Sequence, residues 1–472
     1  MAFINSLIDF LNNIFWGYIL IYGLLGVGIF FTLRLGFIQF VHFGEMIRVL
    51  KNTSTDTHGV TPFQALTTSL ASRVGTGNIA GVAVALYLGG AGAIFWMWMV
   101  ALVGMATAYA ESTLAQLYKV EDESGQYRGG PAFYISKGLN MPKLGIIFSA
   151  CLMLAFGLIF NAVQANSIAS AMNVAFGTSD IAIGITLALA AGVIIFGGVK
   201  SIGRFSELVI PLMAGIYVLL AAYVVAINIT DVPAVLASIV SSAFGLEEAA
   251  GGIAGSITAA MLNGIKRGLF SNEAGMGSAP NAAATAVPAP HHPSAQGFVQ
   301  AFGVFIDTIV ICTATALIIL LSGVLEPGSG ISGVELTQLA LNEHIGEAGK
   351  YFIAIAILFF AFTSIVANYS YAENSMVHFG FDSKIGMTCL RLFVMAIVVW
   401  GSVQSVSTVF NAADAAMGLM ASINLFAILL LSNTVHKLTK DYLASRKAGL
   451  EPDFKAENFP ELKGKIDAQI WK

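Results

Sequence analysis

Two short runs hold the residue types with the most chemical meaning. The first is Gly75-Thr76-Gly77-Asn78-Ile79-Ala80-Gly81, and the second is Ser271-Asn272-Glu273-Ala274-Gly275-Met276-Gly277-Ser278. Each interrupts a hydrophobic segment long enough to cross a bilayer. Irregular backbone at membrane depth is tolerated only where it is buried in protein or lines a cavity. At the first run, Thr76, Gly77 and Asn78 would open a half-helix whose free N–H groups and positive dipole end suit a carboxylate. At the second, Gly275 would free carbonyls for an ammonium group, with Phe270 and Met276 as apolar walls. Paired interruptions in the two halves of a membrane chain mark the binding site of a secondary transporter.

Other residues can be weighed on the same terms. Asp307, in Phe305-Ile306-Asp307-Thr308, is ionisable in mid-segment and is a candidate for coupling; pairing with Arg73, the other deep charge, is the plainer role. Glu273 is costly in lipid, and Lys266 or Arg267 nearby on the same segment would neutralise it. Thr363 and Ser364 offer adjacent hydroxyl oxygens of the kind a hard cation takes, although such hydroxyls also bond the preceding turn of their own helix. Gln164 and Asn368 are amides in apolar surroundings, suited either to a substrate or to joining two helices. The run Gly75-Thr76-Gly77-Asn78-Ile79-Ala80 formally matches a dinucleotide pattern, but that pattern needs a preceding strand in a soluble unit. His291-His292 lacks a clustered cysteine or acid, so a metal site is not expected there.

The elements that must position these residues are membrane helices. The chain has 472 residues, 57% hydrophobic and only 11% charged, with net charge −4 and mean hydropathy +0.79. Soluble domains carry about 25% charged residues. With about 20 apolar residues per crossing, eleven spans are expected near 14–34, 62–88, 92–118, 145–175, 179–198, 204–229, 249–281, 296–323, 350–373, 384–402 and 407–435. The first reads as a retained span rather than a leader. Segment 36–50 is short, ends in charge and reads as a surface helix. Residues 436–472 form a polar, soluble tail after a transporter domain at 1–435. Cys151, Cys312 and Cys389 lie apart in apolar spans and read as small buried hydrophobes.

Arg34, Arg48, Lys51, Lys119, Arg128, Lys137, Lys143, Lys200 and Arg204 fall on one side, with tail residues Lys437, Lys440, Arg446 and Lys447. Asp231, Glu247, Glu248, Glu326, Glu335, Glu343 and Glu347 fall on the other, where Lys350 is the one basic residue. The positive-inside rule then sets the N-terminus outside and the C-terminus in the cytoplasm. The interruptions sit in spans two and seven, which run in opposite directions, as in a five-plus-five inverted repeat preceded by one extra helix.

The run Gly89-Gly90-Ala91-Gly92-Ala93-Ile94-Phe95-Trp96-Met97-Trp98, with Ala101 and Gly104, resembles the signature of the sodium:alanine (alanine or glycine:cation) symporter family. The two interruptions, Gly129-Gly130-Pro131 and Phe305-Ile306-Asp307-Thr308 resemble the same family in the same order, over about residues 14–435. The resemblance implies an all-α, LeuT-type fold of eleven helices in a prokaryotic inner membrane. It also implies sodium-coupled uptake of a small neutral amino acid of the alanine/glycine class, with no enzymatic activity. Thr76, Gly77 and Asn78 would then hold the carboxylate, and Gln164, Phe270, Gly275 and Met276 would complete the pocket. By analogy with the wider fold, Thr363 and Ser364 with the backbone oxygens of Ala71 and Val74 would hold sodium. Sodium is the coupling ion, and no cofactor is expected. The implied partners are the amino acid, the ion and membrane lipid, with no nucleic acid; the pattern does not specify an oligomer.

One departure bears on selectivity. Alanine carriers of this family often have a Trp in span nine, where this chain reads Ala367-Asn368-Tyr369-Ser370-Tyr371-Ala372-Glu373. An amide in place of an indole leaves a larger, more polar pocket, which admits a longer substrate such as glutamine. A proton-coupled carrier using Asp307 or Glu273 is the other alternative.

Overall fold

The computed structural model describes residues 2–52, 59–123, 125–245, 253–326 and 329–471. Glu247, Glu248 and the first residues of the segment expected at 249–281 lie outside this set. The regular structure among the described residues is helical apart from one two-stranded hairpin, Val120–Glu121 with Tyr127–Arg128, and an isolated bridge between Val60 and Ala286. Among the described residues, eight helices are long and apolar enough to cross a membrane: Ser6–Arg34, Gly92–Leu117, Pro142–Phe176, Lys200–Ile227, Pro293–Ser322, Ala348–Phe379, Lys384–Ser402 and Val406–Leu430. The expected segments at 62–88 and 249–281 are interrupted helices, and that at 179–198 is the shorter helix Asp180–Ile195. A further helix, Val232–Ala243, was not anticipated.

The first interrupted helix starts from a capping box. Thr61 Oγ1 accepts from the Gln64 N–H at 3.1 Å, Gln64 Oε1 accepts from the Thr61 N–H at 3.2 Å, and Pro62 occupies the first helical position, which satisfies donors that a helix start would orphan. The helix Pro62–Arg73 stops at Val74, whose ψ is 87°. It resumes as one wide turn, Gly77–Gly81, and continues as Val82–Gly89.

The second interrupted helix, Ile253–Asn272, stops at Glu273, which has φ +57°. Only glycine takes this region freely, so a glutamate there stores about 1–3 kcal/mol of strain. Gly275 and Gly277 follow at φ +88° and +85° before the short helix Ala279–Ala284. The long helix Gly92–Leu117 packs against this element. The approach is close enough that a side chain at Gly268 would come within 2.5 Å of Val100 Cγ1, the small-residue contact that membrane helices use.

Residues 36–50 form two short helices, Ile38–Val41 and Phe43–Leu50. Of the three cysteines expected to be buried, Cys312 is buried, whereas Cys151 is half-buried and Cys389 is exposed because their helices turn them outward. The tail is structured from its start. Its helix Ser432–Lys447 leads into a segment that folds back on the helical body, where Phe454, Phe459, Leu462 and Trp471 are buried. Trp471 Nε1 donates to the Leu117 carbonyl at 3.1 Å, and the Phe454 N–H donates to the His291 carbonyl at 2.9 Å. Aromatic residues spaced through a polar sequence are what fix it in place.

Candidate functional site

The two interruptions meet in the interior around Asp307. Asn78 Nδ2 donates to Asp307 Oδ1 at 2.7 Å and lies 3.1 Å from Ser271 Oγ. Ser271 Oγ and Thr308 Oγ1 donate to Asp307 Oδ2 at 2.6 and 2.7 Å. All four residues are buried. One carboxylate therefore ties the first break, through Asn78, to the end of the second interrupted helix, through Ser271. Its hydrogen-bond partners are the neutral donors of Asn78, Ser271 and Thr308. The expected ion pair with Arg73 is absent among the described residues. The Arg73 guanidinium instead reaches the backbone and side-chain oxygens of Gln300, each at 3.4 Å.

Around the first break, amide oxygens occupy the backbone donors. The Gly75 N–H donates to Asn78 Oδ1 at 3.0 Å, and the Thr76 N–H to Gln164 Oε1 at 3.0 Å. Gly77 lies under Phe270, whose ring stacks on Phe160 at 4.9 Å and tilts against Phe410 at 5.5 Å. Thr76, Gly77, Asn78, Gln164 and Phe270 thus come together. Thr76 Oγ1 is buried there without a hydrogen-bond partner.

The hydroxyls expected to meet sodium behave differently from one another. Ser364 Oγ lies 2.8 Å from the Ala71 carbonyl, across from its own helix, and 3.1 Å from the Phe360 carbonyl within it. Thr363 Oγ1 bonds the Phe360 carbonyl of its own helix at 2.8 Å. Val74 is buried at the end of the first helical half, with its N–H on the Leu70 carbonyl.

Asn368 belongs to a polar chain. Its Nδ2 donates to Asn161 Oδ1 at 3.1 Å, and the Ser72 hydroxyl lies 2.8 Å from both Asn368 Oδ1 and Glu273 Oε1. Ser278 Oγ donates to the other Glu273 oxygen at 2.5 Å. Glu273 therefore does not neutralise Lys266 or Arg267. Those residues meet Asp414, at 3.3 and 2.6 Å, because the helical turn carries them away from Glu273 and toward helix Val406–Leu430. The expectation of a free carbonyl at Gly275 is also corrected. Asn424 Nδ2 donates to that carbonyl at 2.9 Å, and the Gly275 N–H donates to Glu111 Oε1 at 3.2 Å. Met276 is buried beside it, its N–H on the Glu273 carbonyl.

Sequence reading passed over Glu111 and Asp414, although both were signalled. Each is an acid inside an apolar run, Ala108-Tyr109-Ala110-Glu111 and Ala412-Ala413-Asp414-Ala415, as Asp307 is. A third buried cluster, Arg128 with Glu373 at 2.7 Å and Asp122 at 2.8 Å, joins the hairpin to helix Ala348–Phe379. No group of three or more His, Cys, Asp or Glu side chains suited to a metal ion occurs among the described residues.

A polytopic helical body with two interrupted helices facing each other across a buried polar cluster defines the class of secondary transporters. Comparison with solved structures agrees at the level of fold. A manganese transporter of Eremococcus coleocola superposes with a TM-score of 0.53 at 13% identity, covering 82% of this chain and 81% of that one. The sodium:alanine symporter family matches residues 1–456, and the chain belongs to it. It is 51% identical to the amino-acid carrier protein AlsT of Bacillus subtilis (strain 168), over 100% of this chain and 98% of that protein. It is 40% identical to the sodium/alanine symporter AgcS of Methanococcus maripaludis, over 94% and 98%. It is 47% identical to the probable sodium/glutamine symporter GlnT of Bacillus subtilis (strain 168), over 96% and 93%. The chain is a sodium-coupled amino-acid symporter of this family and not an enzyme.

Proposed function

We propose that residues 1–435 cross the membrane eleven times, as one helix followed by a five-plus-five inverted repeat of LeuT type. The N-terminus lies outside, and 436–472 form the cytoplasmic part. Through this body the protein imports alanine or glycine with sodium by alternating access. The observation that carries the reading is the Asn78–Asp307–Ser271 contact, which joins both broken helices through one carboxylate. In this scheme the substrate carboxylate takes over the Gly75 and Thr76 N–H groups from the side-chain oxygens of Asn78 and Gln164. Phe270 closes over it, and Gly275 and Met276 support the second break. Sodium sits between the Ala71 and Val74 carbonyls and the Ser364 and Thr363 hydroxyls. Asp307 carries the coupling, because a change in its contacts is felt at both breaks. Linkage then requires the amino acid to raise sodium affinity by the factor by which sodium raises amino-acid affinity.

The neighbourhood of Asn368 favours the small substrate over glutamine. Its oxygen is engaged by Ser72 and its nitrogen by Asn161, so a substrate amide would have to displace a protein partner. Counterflow in proteoliposomes with labelled alanine, glycine and glutamine, with and without a sodium gradient, tests the reading. Alanine and glycine should accumulate only with sodium. Uptake that ignored sodium and followed the proton gradient would replace it with the proton-coupled alternative through Asp307 or Glu273.

A further inference from the structure

The end of helix Ser6–Arg34 and the tail helix Ser432–Lys447 enclose a groove of about 460 Å³. Arg34 and Leu33 line it from one side; His436, Lys440, Leu443 and Lys447 line it from the other. The spacing of the last four puts them along one face of their helix. No acidic side chain lines the groove. Arg34, Lys440 and Lys447 form no ion pair among the described residues, while Arg34 Nη2 donates only to Asn433 Oδ1 at 3.3 Å and its Nε is buried without a hydrogen-bond partner. A second hollow of about 550 Å³ continues past Leu443 and Lys447 to Arg48 and Arg446. Its one acid, Glu45, already serves Arg48 at 2.9 Å and Arg446 at 2.8 Å. Positive charge is therefore left over across both hollows.

Leu33 and Val41, which line the two hollows, are 61% and 66% exposed. Cations in a cleft with large apolar side chains alongside, at the end of an apolar helix, is the arrangement of a membrane-interface site. We infer that the groove holds the headgroup of an anionic phospholipid, its phosphate on Arg34, Lys440 and Lys447 and its acyl chains along Leu33 and Val41. Arg34 suits the phosphate because its fork can make paired N–H contacts. The two lysines add point charge, as basic pockets between membrane helices do for anionic lipids. A zwitterionic lipid would leave the surplus charge uncompensated, and a soluble phosphate would leave the apolar border in water.

Native mass spectrometry of the full-length protein in mild detergent tests this, with added phosphatidylglycerol, phosphatidylethanolamine of the same chains, or sn-glycerol 3-phosphate. One phosphatidylglycerol should be retained in preference to the other two. The triple change Arg34→Gln, Lys440→Gln and Lys447→Gln should lower that retention by about tenfold or more, given the contribution of each juxtamembrane cation. A control that removes three exposed basic residues elsewhere, Lys200→Gln, Lys384→Gln and Lys463→Gln, should leave it unchanged. Lys440→Glu alone, at an exposed position, should also weaken retention and avoids altering Arg34. Equal retention of phosphatidylethanolamine, equal binding of glycerol phosphate, wild-type retention in both groove variants, or equal loss in the control would each overturn the assignment.

Discussion

A methyl group on Gly77 would lie 3.0 Å from Phe270 Cδ1 and 3.1 Å from the Ser271 backbone. The ring can turn, but the backbone of the opposing helix cannot move without opening the contact between the two breaks. Gly77→Ala should therefore cut uptake by about tenfold or more while the protein still reaches the membrane, because an overpacked contact of this kind costs about 1–3 kcal/mol. Uptake at the wild-type rate in proteoliposomes would show that the contact is not kept during transport. The two hydroxyls in helix Ala348–Phe379 should separate in the same assay. Ser364 bonds across to Ala71 as well as to the Phe360 carbonyl of its own turn, whereas among the described residues Thr363 bonds only that carbonyl. Ser364→Ala should raise the sodium concentration for half-maximal uptake more than Thr363→Ala does. The reverse order would mean that the Thr363 hydroxyl turns toward the ion. Asp307→Asn keeps an acceptor for one donor and loses the charge. It should uncouple alanine uptake from sodium without loss of folded protein, and sodium-driven accumulation in the variant would remove Asp307 from the coupling step.

Among elements, the buried group of Arg267, Lys266 and Asp414 joins the second interrupted helix to helix Val406–Leu430. Asp414→Asn leaves the Arg267 guanidinium, 4% exposed, without its counter-charge; losing one partner of a buried pair costs about 3–5 kcal/mol. The melting temperature in detergent should fall markedly and recover in part when Arg267→Gln is added, since the second change removes the stranded charge. A double variant no more stable than the single one would mean that the guanidinium is held mainly by Phe270 and Phe410, whose rings it overlies. The same elements show what the sequence made legible. Glycine and asparagine together inside apolar runs pointed to both interruptions, since close helix packing accounts for the glycines but not for the asparagine. Which acid meets which base was not legible. Arg267 and Glu273 are close in sequence, yet the helix ends at Asn272 and the turn through Glu273 sends that carboxylate to Ser72 and Ser278. Gly275 was misread for a related reason. Its freed carbonyl was foreseeable, but Asn424, which takes it, comes from a distant helix.

At the scale of the whole molecule, the C-terminal segment packs over the end of helix Gly92–Leu117 and the turn before helix Pro293–Ser322. It was read only as a polar, soluble tail because its aromatics are scattered among charges, and only the folded chain brings Phe454, Phe459 and Trp471 together. Trp471 fixes the last turn, and truncating a buried Trp costs about 3–5 kcal/mol, more than a short docked segment of this kind can lose. Trp471→Ala should therefore release residues 450–471 while leaving the membrane helices folded. Limited trypsin digestion followed by intact mass measurement should show faster cleavage at Lys455, Lys463 and Lys465. Acid should act in the same direction. His292 packs against Tyr442 and Phe454 and lies 3.3 Å from Asp441, with His291 and Asp453 nearby. Burial holds its imidazole below the usual range, more than Asp441 raises it. A base with a lowered pKa binds fewer protons in the docked state than in the released one, so docking is fully favourable above the ordinary histidine pKa of about 6.5 and weakens as pH falls below it. Cleavage in the wild-type protein should accelerate between about pH 6.5 and 5, measured with a protease active across that range, and His292→Gln should flatten the dependence. A wild-type rate independent of pH over that interval would mean that His292 stays buried when the tail leaves.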